Sequence, residues 1–308
     1  MILAVTGGTG FVGGHLLAAA TAHGHTVRAL TRRPQPPRPG VAWITGDLNS
    51  PGDLCTGAEA VIHIAGTITA TSRAEFDAGN VAGTASIIAA ARAAGVTRFV
   101  HVSSLAAREP GLSDYGASKA AAETLVAGSG LEWAIVRPPG VYGPGDRETL
   151  PVFQMVSRGI AVLPGDGRFS LIDVSDLSAA LLALAASDGI AASGGGIAEI
   201  DDGHGAYSHA DLARAIGVAV GRTPLLLRLP LGVLRATATV ETTLARLQKR
   251  GPKMTHDRAR YLGHPDWVAA TARGLPATLW QPKTHLPEGL ARAVAWYRAK
   301  GWLTPARL

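Results

Sequence analysis

The sequence has little of three features that would each assign a chain to a particular class of protein. It contains a single cysteine, Cys55, so no intrachain disulfide can form and a reducing compartment is favoured. Although the formal net charge is +6, no run of Lys or Arg exceeds the pair at positions 32 and 33, which suits an anionic small molecule better than a nucleic acid. The most apolar helical stretch, residues 177–186, is too short to cross a bilayer, and we recognise no secretory leader. We therefore predict a cytoplasmic protein that binds neither nucleic acid nor a membrane.

The histidines lack the spacing of a metal site. The chain has 10 of them, but they form no spaced set with cysteine or carboxylate residues, so no metal is expected. His63 and His101 fall within apolar strand-like runs, where a structural role in the core is expected.

What the sequence does contain begins with a glycine-rich turn. Strand-forming residues 2–5 lead into Thr6-Gly7-Gly8-Thr9-Gly10-Phe11-Val12-Gly13, and a helical stretch follows. A strand, a turn and a helix in this order can bind a dinucleotide. Gly7 permits the tight turn, Gly10 lets the backbone approach a pyrophosphate, and Gly13 lets the helix lie close to the sheet. The alternative is an ordinary glycine-rich βα turn, which the βαβ pattern after it disfavours.

Cofactor choice is expected at the end of the second predicted strand. NAD-binding proteins usually place Asp or Glu there, about 20 residues past the glycines, to bond the ribose 2′-hydroxyl. This chain has Thr31-Arg32-Arg33 instead. Because two guanidinium groups can grip a phosphate, the sequence favours NADP(H), with NAD(H) as the alternative. Both arginines could also be solvated residues at the head of a proline-rich loop.

Strands and helices alternate along the first two thirds of the chain. Predicted strands occupy residues 2–6, 26–30, 41–45, 60–64, 98–102, 131–137 and 197–200, and helical stretches lie around 14–22, 80–94, 116–127 and 174–186. This alternation predicts an α/β protein with a doubly wound parallel sheet, a Rossmann fold.

Two domains are expected. The dinucleotide-binding domain should comprise residues 1–143 plus about 168–202. A smaller, mainly helical substrate-binding lobe should comprise about 144–167 plus 203–308, with helices opening at Ser208 and covering 231–250 and 287–300. Ligands of open α/β sheets bind at the carboxyl edge, so the substrate is expected between that edge and the lobe.

A proton-transfer pair is predicted at Tyr115 and Lys119, which are four residues apart at the start of a helix and so share one face. An ammonium beside a phenol favours the phenolate, which lets the tyrosine exchange a proton with a substrate oxygen at neutral pH. Ser103 and Ser104 end the preceding strand at the same edge of the sheet. Ser104 is predicted to hold the reacting oxygen, and Ser103 to contact the cofactor. The competing interpretations are a surface helix pair and ordinary polar residues at a strand end.

Further motifs follow the glycine turn: Gly46-Asp47-Leu48, Val61-Ile62-His63-Ile64-Ala65-Gly66, Asn80-Val81-Ala82-Gly83-Thr84, Ser103-Ser104, Tyr115-x-x-x-Lys119 and Arg137-Pro138-Pro139-Gly140-Val141-Tyr142-Gly143-Pro144-Gly145. Together they resemble the extended short-chain dehydrogenase/reductase family, of the NAD(P)-dependent epimerase/dehydratase type. The likeness is strong over residues 1–186 and general beyond them.

The resemblance implies cofactor contacts at several positions: Phe11 and Val12 at the pyrophosphate, Asp47 and Leu48 at the adenine, Ala65, Gly66 and Thr67 along the dinucleotide, Lys119 at the nicotinamide ribose, and Pro138 and Val141 beside the nicotinamide. It also implies that Asn80 orders the site from its helix.

Two departures from the sugar-modifying members of this family bear on the reaction. The interval from Ser104 to Tyr115 is eleven residues, which is shorter than usual in those members. Leu105-Ala106-Ala107 stands where dehydratases carry an acidic pair, so 4,6-dehydration is disfavoured. With the apolar run at 225–231, these features favour a small or medium, largely apolar carbonyl substrate.

The sequence therefore predicts an NADP(H)-dependent oxidoreductase that transfers a hydride to or from a carbonyl or alcohol of a small molecule. One alternative is an NAD-dependent nucleotide-sugar epimerase, in which Arg228, Arg235 and Arg246 could bind a diphosphate. Another is a non-catalytic NADP(H)-binding sensor or assembly subunit, against which the intact proton-transfer motif argues. The oligomeric state stays open, a homodimer included.

Overall fold

The computed structural model describes residues 1–228, 232, 260, 261 and 263–304. The predicted helix at 231–250, apart from residue 232, lies outside the described residues, as do Arg235 and Arg246. The chain divides into two compact units. Unit 1 contains Met1–Pro138, Val174–Ile200 and Ala270–Gln281, and unit 2 contains Pro139–Asp173, Asp201–Ala269 and Pro282–Leu308.

The strands of the described residues fall in both units. In chain order they are β1 Ile2–Thr6, β2 Thr26–Thr31, β3 Val41–Thr45, β4 Ala60–His63, β5 Arg98–Val102, β6 Glu132–Arg137, β7 Gly140–Tyr142, β8 Ile160–Leu163, β9 Arg168–Phe169, β10 Leu171–Asp173, β11 Gly196–Glu199, β12 Tyr207–Ser208, β13 Leu225–Arg228 and β14 Asp266–Trp267. All the strands predicted from the sequence are present, and their ends differ from the prediction by at most one residue.

The helices are α1 Phe11–Ala22, α2 Arg73–Asp77, α3 Gly83–Ala93, α4 Asp114–Ala127, α5 Leu150–Ser157, α6 Val174–Ala185, α7 Gly189–Ala192, α8 His209–Val220 and α9 Leu286–Ala299. A π-helical turn, Ala78–Ala82, joins α2 to α3, and Leu105–Arg108 forms a 3₁₀ turn. The helix expected at 80–94 therefore has an additional segment before it. It begins after Ser72, whose side chain accepts a hydrogen bond from the Glu75 backbone N–H at 3.3 Å.

Unit 1 is built on a seven-stranded sheet with the order β11-β6-β5-β4-β1-β2-β3, in which every neighbouring pair is parallel. From β1 the chain first adds β2 and β3 on one side of the sheet and then adds β4, β5, β6 and β11 on the other, so the strand order reverses between β1 and β4. All residues of β4 are buried, as is most of β1, because the sheet is covered on both faces. Helices α1 and α6 pack together, as do α3 and α4. The α/β fold class with a doubly wound parallel sheet is confirmed.

Unit 2 combines helices with small sheets. β7 pairs with β10, β8 with β13, and β9 with both β12 and β14. Helices α5, α8 and α9 surround an apolar core in which the rings of Phe153 and Tyr297 meet edge to face at 5.2 Å. The capping box predicted at the start of α8 is formed, since the Ser208 side chain accepts from the Asp211 N–H at 3.1 Å.

The unit boundaries differ from the predicted domain boundaries. Residues 139–143 and 168–173 belong to unit 2, because β7 and β10 pair with each other and not with the large sheet. Residues 270–281 belong to unit 1. The Ala270 N–H donates to Glu199 Oε2 at 2.9 Å, and Trp280 Nε1 donates to the Asp176 carbonyl at 3.1 Å. The small sheets among the described residues of unit 2 were not expected from the sequence.

Candidate active site

The glycine turn brings three pieces of backbone into close contact. A Cβ on Gly13 would collide with the Gly7 carbonyl, and a Cβ on Gly7 would lie 2.8 Å from the Ala65 backbone nitrogen. Gly7 also has a φ of +76°, which disfavours other residues. Gly10 precedes α1, and no side chain caps this helix, so its first N–H groups and its dipole can bind an anion.

A cavity of about 480 Å³ opens beside this turn. Its lining comes from the carboxyl ends of β1 to β4 and from the helical segment after β4: Gly7, Thr9, Leu30, Thr31, Arg32, Gly46, Asp47, Leu48, Asn49, Ala65, Gly66, Thr67, Glu75, Ala78 and Gly79. This is the point where strand order reverses, and ligands of open α/β sheets bind there. The cavity, the glycine-rich turn and the uncapped N-terminus of α1 fit a dinucleotide cofactor.

The two arginines predicted to select NADP(H) occupy different positions. Both are exposed, but Arg32 lines the cavity and Arg33 is not among the lining residues. The Thr31 hydroxyl donates to the Arg33 carbonyl at 2.7 Å, which fixes this turn. Arg32 is therefore the better placed of the two for a phosphate in the cavity.

Asp47 and Leu48, the residues implied at the adenine, both line the cavity. Asp47 Oδ1 accepts hydrogen bonds from the backbone N–H groups of Asn49 and Ser50 at 2.8 and 2.9 Å. This carboxylate therefore shapes the loop after β3, an Asx-type turn.

Asn80 ties the loop after β4 to the helix with the proton-transfer pair. Its Oδ1 accepts from the Thr67 N–H at 2.7 Å, and its Nδ2 donates to the Thr67 carbonyl at 3.0 Å and to Ser118 Oγ at 2.8 Å. The π-helical turn places Asn80 in this position, where only 2% of the residue is exposed. Such turns frequently occur at functional sites.

Tyr115 lies in the first turn of α4 and is half-buried, with its ring 6.0 Å from that of Phe76. Burial raises the pKa of Tyr115, and a hydrogen bond with the Ser104 side chain opposes that rise. Ser104 and Tyr115 are thus brought together, and desolvation is the largest effect on the Tyr115 pKa. The lowering of this pKa expected from Lys119 together with an oxidised nicotinamide stays a prediction.

Lys119 is buried, and its Nζ donates to the Val102 carbonyl at 2.8 Å. Burial lowers the pKa of Lys119 to about 8, and the charge of Glu123 acts in the opposite direction. Sequence reasoning expected the ammonium to act on Tyr115. In this structure it is anchored to the end of β5, next to Ser103 and Ser104.

Ser103 does not face the cavity. Its hydroxyl donates to Glu123 Oε1 at 2.5 Å, and its N–H donates to the Val136 carbonyl at 2.7 Å. Arg137 holds the same carboxylate through Nε and Nη2 at 2.8 and 2.6 Å. The Ser103 hydroxyl therefore makes a structural contact, and its predicted cofactor contact stays a prediction.

The remaining predicted positions lie in different elements. Phe11 and Val12 are the half-buried first residues of α1. The Pro138 carbonyl accepts from the Leu105 N–H at 3.1 Å, and Val141 belongs to β7 of unit 2.

Two kinds of site residue escaped prediction. Asn49 and Glu75 line the cavity although no motif contains them, and Thr9 lines it although only its glycine neighbours were given a role. Glu123 follows Lys119 by four residues and Tyr115 by eight, so its place on the same helix face could have been found from spacing.

His63 and His101 are buried side by side on β4 and β5, with their rings 5.3 Å apart. His63 bonds to the hydroxyls of Thr6 and Thr84 at 2.7 and 3.0 Å. Burial lowers the pKa of His63 to about 3 and that of His101 well below its ordinary value. Both are core residues, as the sequence indicated.

This architecture matches a known family. A family model described as the NAD dependent epimerase/dehydratase family matches residues 3–193. The chain belongs to this family. Its members combine a nicotinamide dinucleotide site with oxidoreductase chemistry, and the chain is an NAD(P)-dependent oxidoreductase of this type.

Two curated relatives match almost the whole chain. It is 39% identical to a ceramide reductase of Caulobacter vibrioides, over 98% of this chain and 96% of the relative. It is 29% identical to a putative dihydroflavonol 4-reductase of Synechocystis sp., over 97% of this chain and 95% of the relative.

Solved structures of the same fold include enzymes with bound ligands. MoeE5 in complex with UDP-glucose and NAD has a TM-score of 0.73 and 26% identity, with coverage of 97% of this chain and 99% of MoeE5. The structure of gox2253 has a TM-score of 0.75 at 21% identity, with 99% of both chains covered, and supports the fold alone.

The described residues contain neither a membrane-spanning helix nor a cluster of metal-ligating side chains. None of their helices is both long and apolar enough to cross a membrane. Within the same part of the chain, no group of three or more His, Cys, Asp or Glu side chains could hold a metal ion.

Proposed function

We propose that this enzyme is an NADP(H)-dependent reductase of a ketone in a mainly apolar molecule, larger than the small or medium substrate that the sequence favours, with Tyr115 as the proton donor. The observation that carries the proposal is the pairing of the Tyr115 side chain, in the first turn of α4, with the Ser104 side chain just after β5. A neutral phenol is the form that gives a proton to a carbonyl oxygen, which is the step that reduction requires.

Each group in the site has a definite task in this proposal. When bound, the nicotinamide cofactor supplies the hydride. The first turn of α1 binds the pyrophosphate, and Arg32 binds a 2′-phosphate. Ser104 holds the substrate oxygen against Tyr115, whose Oη donates the proton, while Lys119 holds a positive charge beside the phenolate that forms.

The ceramide reductase of Caulobacter vibrioides supports a lipid substrate, because it is similar over nearly its full length. A nicotinamide hydride reduces ketones and not amides, so the reducible form of such a lipid would carry a ketone beside its amide. Unit 2 also carries exposed apolar side chains. Ile160 and Leu225 are register partners on β8 and β13 and are 41% and 64% exposed.

A nucleotide-sugar reaction is the second candidate, supported by the likeness to MoeE5 with UDP-glucose and NAD. The short interval between Ser104 and Tyr115 weighs against it.

Loss of NADPH absorbance with wild-type protein tests the reductase candidate, and chromatography of UDP-glucose incubated with the enzyme and NAD⁺ tests the nucleotide-sugar candidate. Long-chain amide ketones are expected to react, and UDP-glucose is not. Turnover of only the nucleotide sugar would reject the reductase proposal. A matched Tyr115→Phe sample keeps the ring, removes the hydroxyl and should show no turnover.

A further inference from the structure

A buried ion pair lies on the face of α4 that also carries Lys119. Glu123 and Arg137 are 5% and 8% exposed, and two hydrogen bonds join them in a bidentate arrangement. Arg137 Nη1 also lies 3.4 Å from Glu199 Oε1, so Glu199 balances part of the guanidinium charge. The Glu123 carboxylate is consequently fixed in place on the face of α4 that carries Lys119.

Two consecutive residues at the end of β5 are tied to two residues one turn apart on α4. Lys119 donates to the Val102 carbonyl, and Ser103 donates to Glu123. Since Lys119 and Glu123 are four residues apart on the helix, their opposite charges lie on one buried face. The strand end that carries Ser104 and the helix that carries Tyr115 are joined by both links.

We propose that Glu123 is a positioning residue: its carboxylate, held by Arg137 and Ser103, maintains Lys119 as an ammonium ion at the end of β5. This role rests on the proposed function, in which Lys119 supports the proton transfer by Tyr115. Glu123 itself touches no reacting atom in this scheme and acts through Lys119.

The charges around Lys119 support this role. Glu123 is the group that opposes the effect of burial on the Lys119 pKa. The other titratable groups facing this region are His63 on β4, His101 on β5 and Tyr115 on α4. The two histidines have lowered pKa values and Tyr115 a raised one, so all three are neutral near pH 7. Without Glu123, the buried ammonium would lose its stabilising anion.

The first test measures Lys119 directly in protein without cofactor. The chain has five lysines, so carbon-13 labelling of lysine Cε gives a small set of NMR signals, and Lys119→Arg identifies the relevant one. In Glu123→Gln, the pKa of Lys119 should fall by roughly 1 to 2 units, as expected when a nearby opposite charge is removed. Glu199→Gln is the matched control, because it removes a buried carboxylate from the same network without removing Glu123.

If Glu123→Gln does not fold, Glu123→Gln/Arg137→Met removes both charges. Because Glu123 is the charge that raises the Lys119 pKa, this pKa should still fall, but by less than in Glu123→Gln. An unchanged Lys119 pKa in the variant that folds, or an equal fall in Glu199→Gln, would overturn the inference.

The second test follows kcat/KM for ketone reduction against pH. The alkaline limb should move to lower pH in Glu123→Gln by the shift measured for Lys119, and activity should recover as the pH is lowered. A merely structural role predicts a loss that is equal at all pH values, and that result would overturn the positioning role. Absence of turnover in the wild-type enzyme would instead reject the proposed function, and the lysine titration alone would then decide whether Glu123 sets the charge of Lys119.

Discussion

Asn80 and Ser118 are joined by a hydrogen bond of 2.8 Å that connects the π-helical turn to the helix carrying Tyr115 and Lys119. The Ser118 hydroxyl donates in turn to the Tyr115 carbonyl at 2.8 Å, and Asn80 makes two hydrogen bonds with Thr67. One buried amide therefore couples a wall of the cofactor cavity to the backbone of the proposed proton donor.

Replacing Asn80 by Ala should destabilise the protein by about 1–3 kcal/mol, because the substitution leaves Thr67 and Ser118 without their buried partner. Urea unfolding of the protein without cofactor measures this. The chain's other asparagine, Asn49, is exposed, so Asn49→Ala provides the control and should change the free energy of unfolding by less than about 0.5 kcal/mol. Equal effects of the two substitutions would contradict the assigned bonds.

Two neighbouring glycines of α1 should respond oppositely to alanine. A Cβ on Gly13 meets the Gly7 carbonyl, whereas a Cβ on Gly14 meets nothing within 4 Å. We expect Gly13→Ala to cost at least about 1–3 kcal/mol of stability and to weaken dinucleotide binding. Gly14→Ala should be neutral or stabilising by up to about 1 kcal/mol, since alanine favours helix. Thermal unfolding and calorimetric titration of NADPH compare the pair, and tight binding by Gly13→Ala would rule out the close packing described.

Arg32 and Arg33 should contribute unequally to cofactor choice. Of the two arginines, only Arg32 lines the cavity. A hydrogen bond between charged groups contributes roughly 1.5–3 kcal/mol to the binding free energy, so Arg32→Ala should weaken NADPH binding by about ten- to a hundredfold. NADH binding should change little in the same variant. Arg33→Ala is the matched control and should have the smaller effect on NADPH. Isothermal titration with both cofactors tests this, and a uniform loss for both cofactors would show that Arg32 does not read the 2′-phosphate.

Tyr115→Phe should lower kcat by about 10²- to 10⁴-fold and leave NADPH affinity nearly unchanged, because it removes one hydroxyl and retains the ring. Lys119→Ala should reduce both kcat and affinity, since the ammonium is proposed to serve the ribose as well as the tyrosine. Steady-state kinetics and a binding titration separate the two effects. More than about a tenth of wild-type kcat in Tyr115→Phe would contradict a role in proton transfer.

Much of unit 1 could be predicted because its signals are local. The apolar runs of β1, β4 and β5 and the glycine turn each specify their own structure through sequence period and steric demand. The prediction of Tyr115, Lys119 and Ser104 as site residues rests on the same kind of signal, namely spacing along one helix and position at a strand end.

The remaining features depend on partners far apart in the chain. Ser103 bonds to Glu123 and Arg137, which lie on α4 and β6, so no short window of sequence reveals that its hydroxyl is already engaged. The Tyr115 pKa likewise depends on how deeply the ring is buried, which only the packed structure determines. The boundary at residue 139 was missed because β7 looks like a continuation of the sheet until its pairing with β10 is known.

The buried histidine pair should make the protein sensitive to acid. Both His63 and His101 have pKa values below the ordinary 6.5. As the pH falls below 6.5, these histidines therefore bind protons in the unfolded chain but stay neutral in the folded protein. Stability from these groups is therefore full above about pH 6.5 and falls as the pH drops below it. Between pH 7.5 and 5, His63 should remove about 2 kcal/mol, and His101 should act in the same direction. Among the described residues, neither ring nitrogen of His101 has a hydrogen-bond partner, so His101→Phe removes a titrating group without breaking a bond. We expect this variant to be about as stable as wild type at pH 7.5 and more stable than wild type at pH 5. Urea unfolding at the two pH values measures both quantities. Parallel losses in the variant and the wild type would mean that His101 is not held neutral in the core.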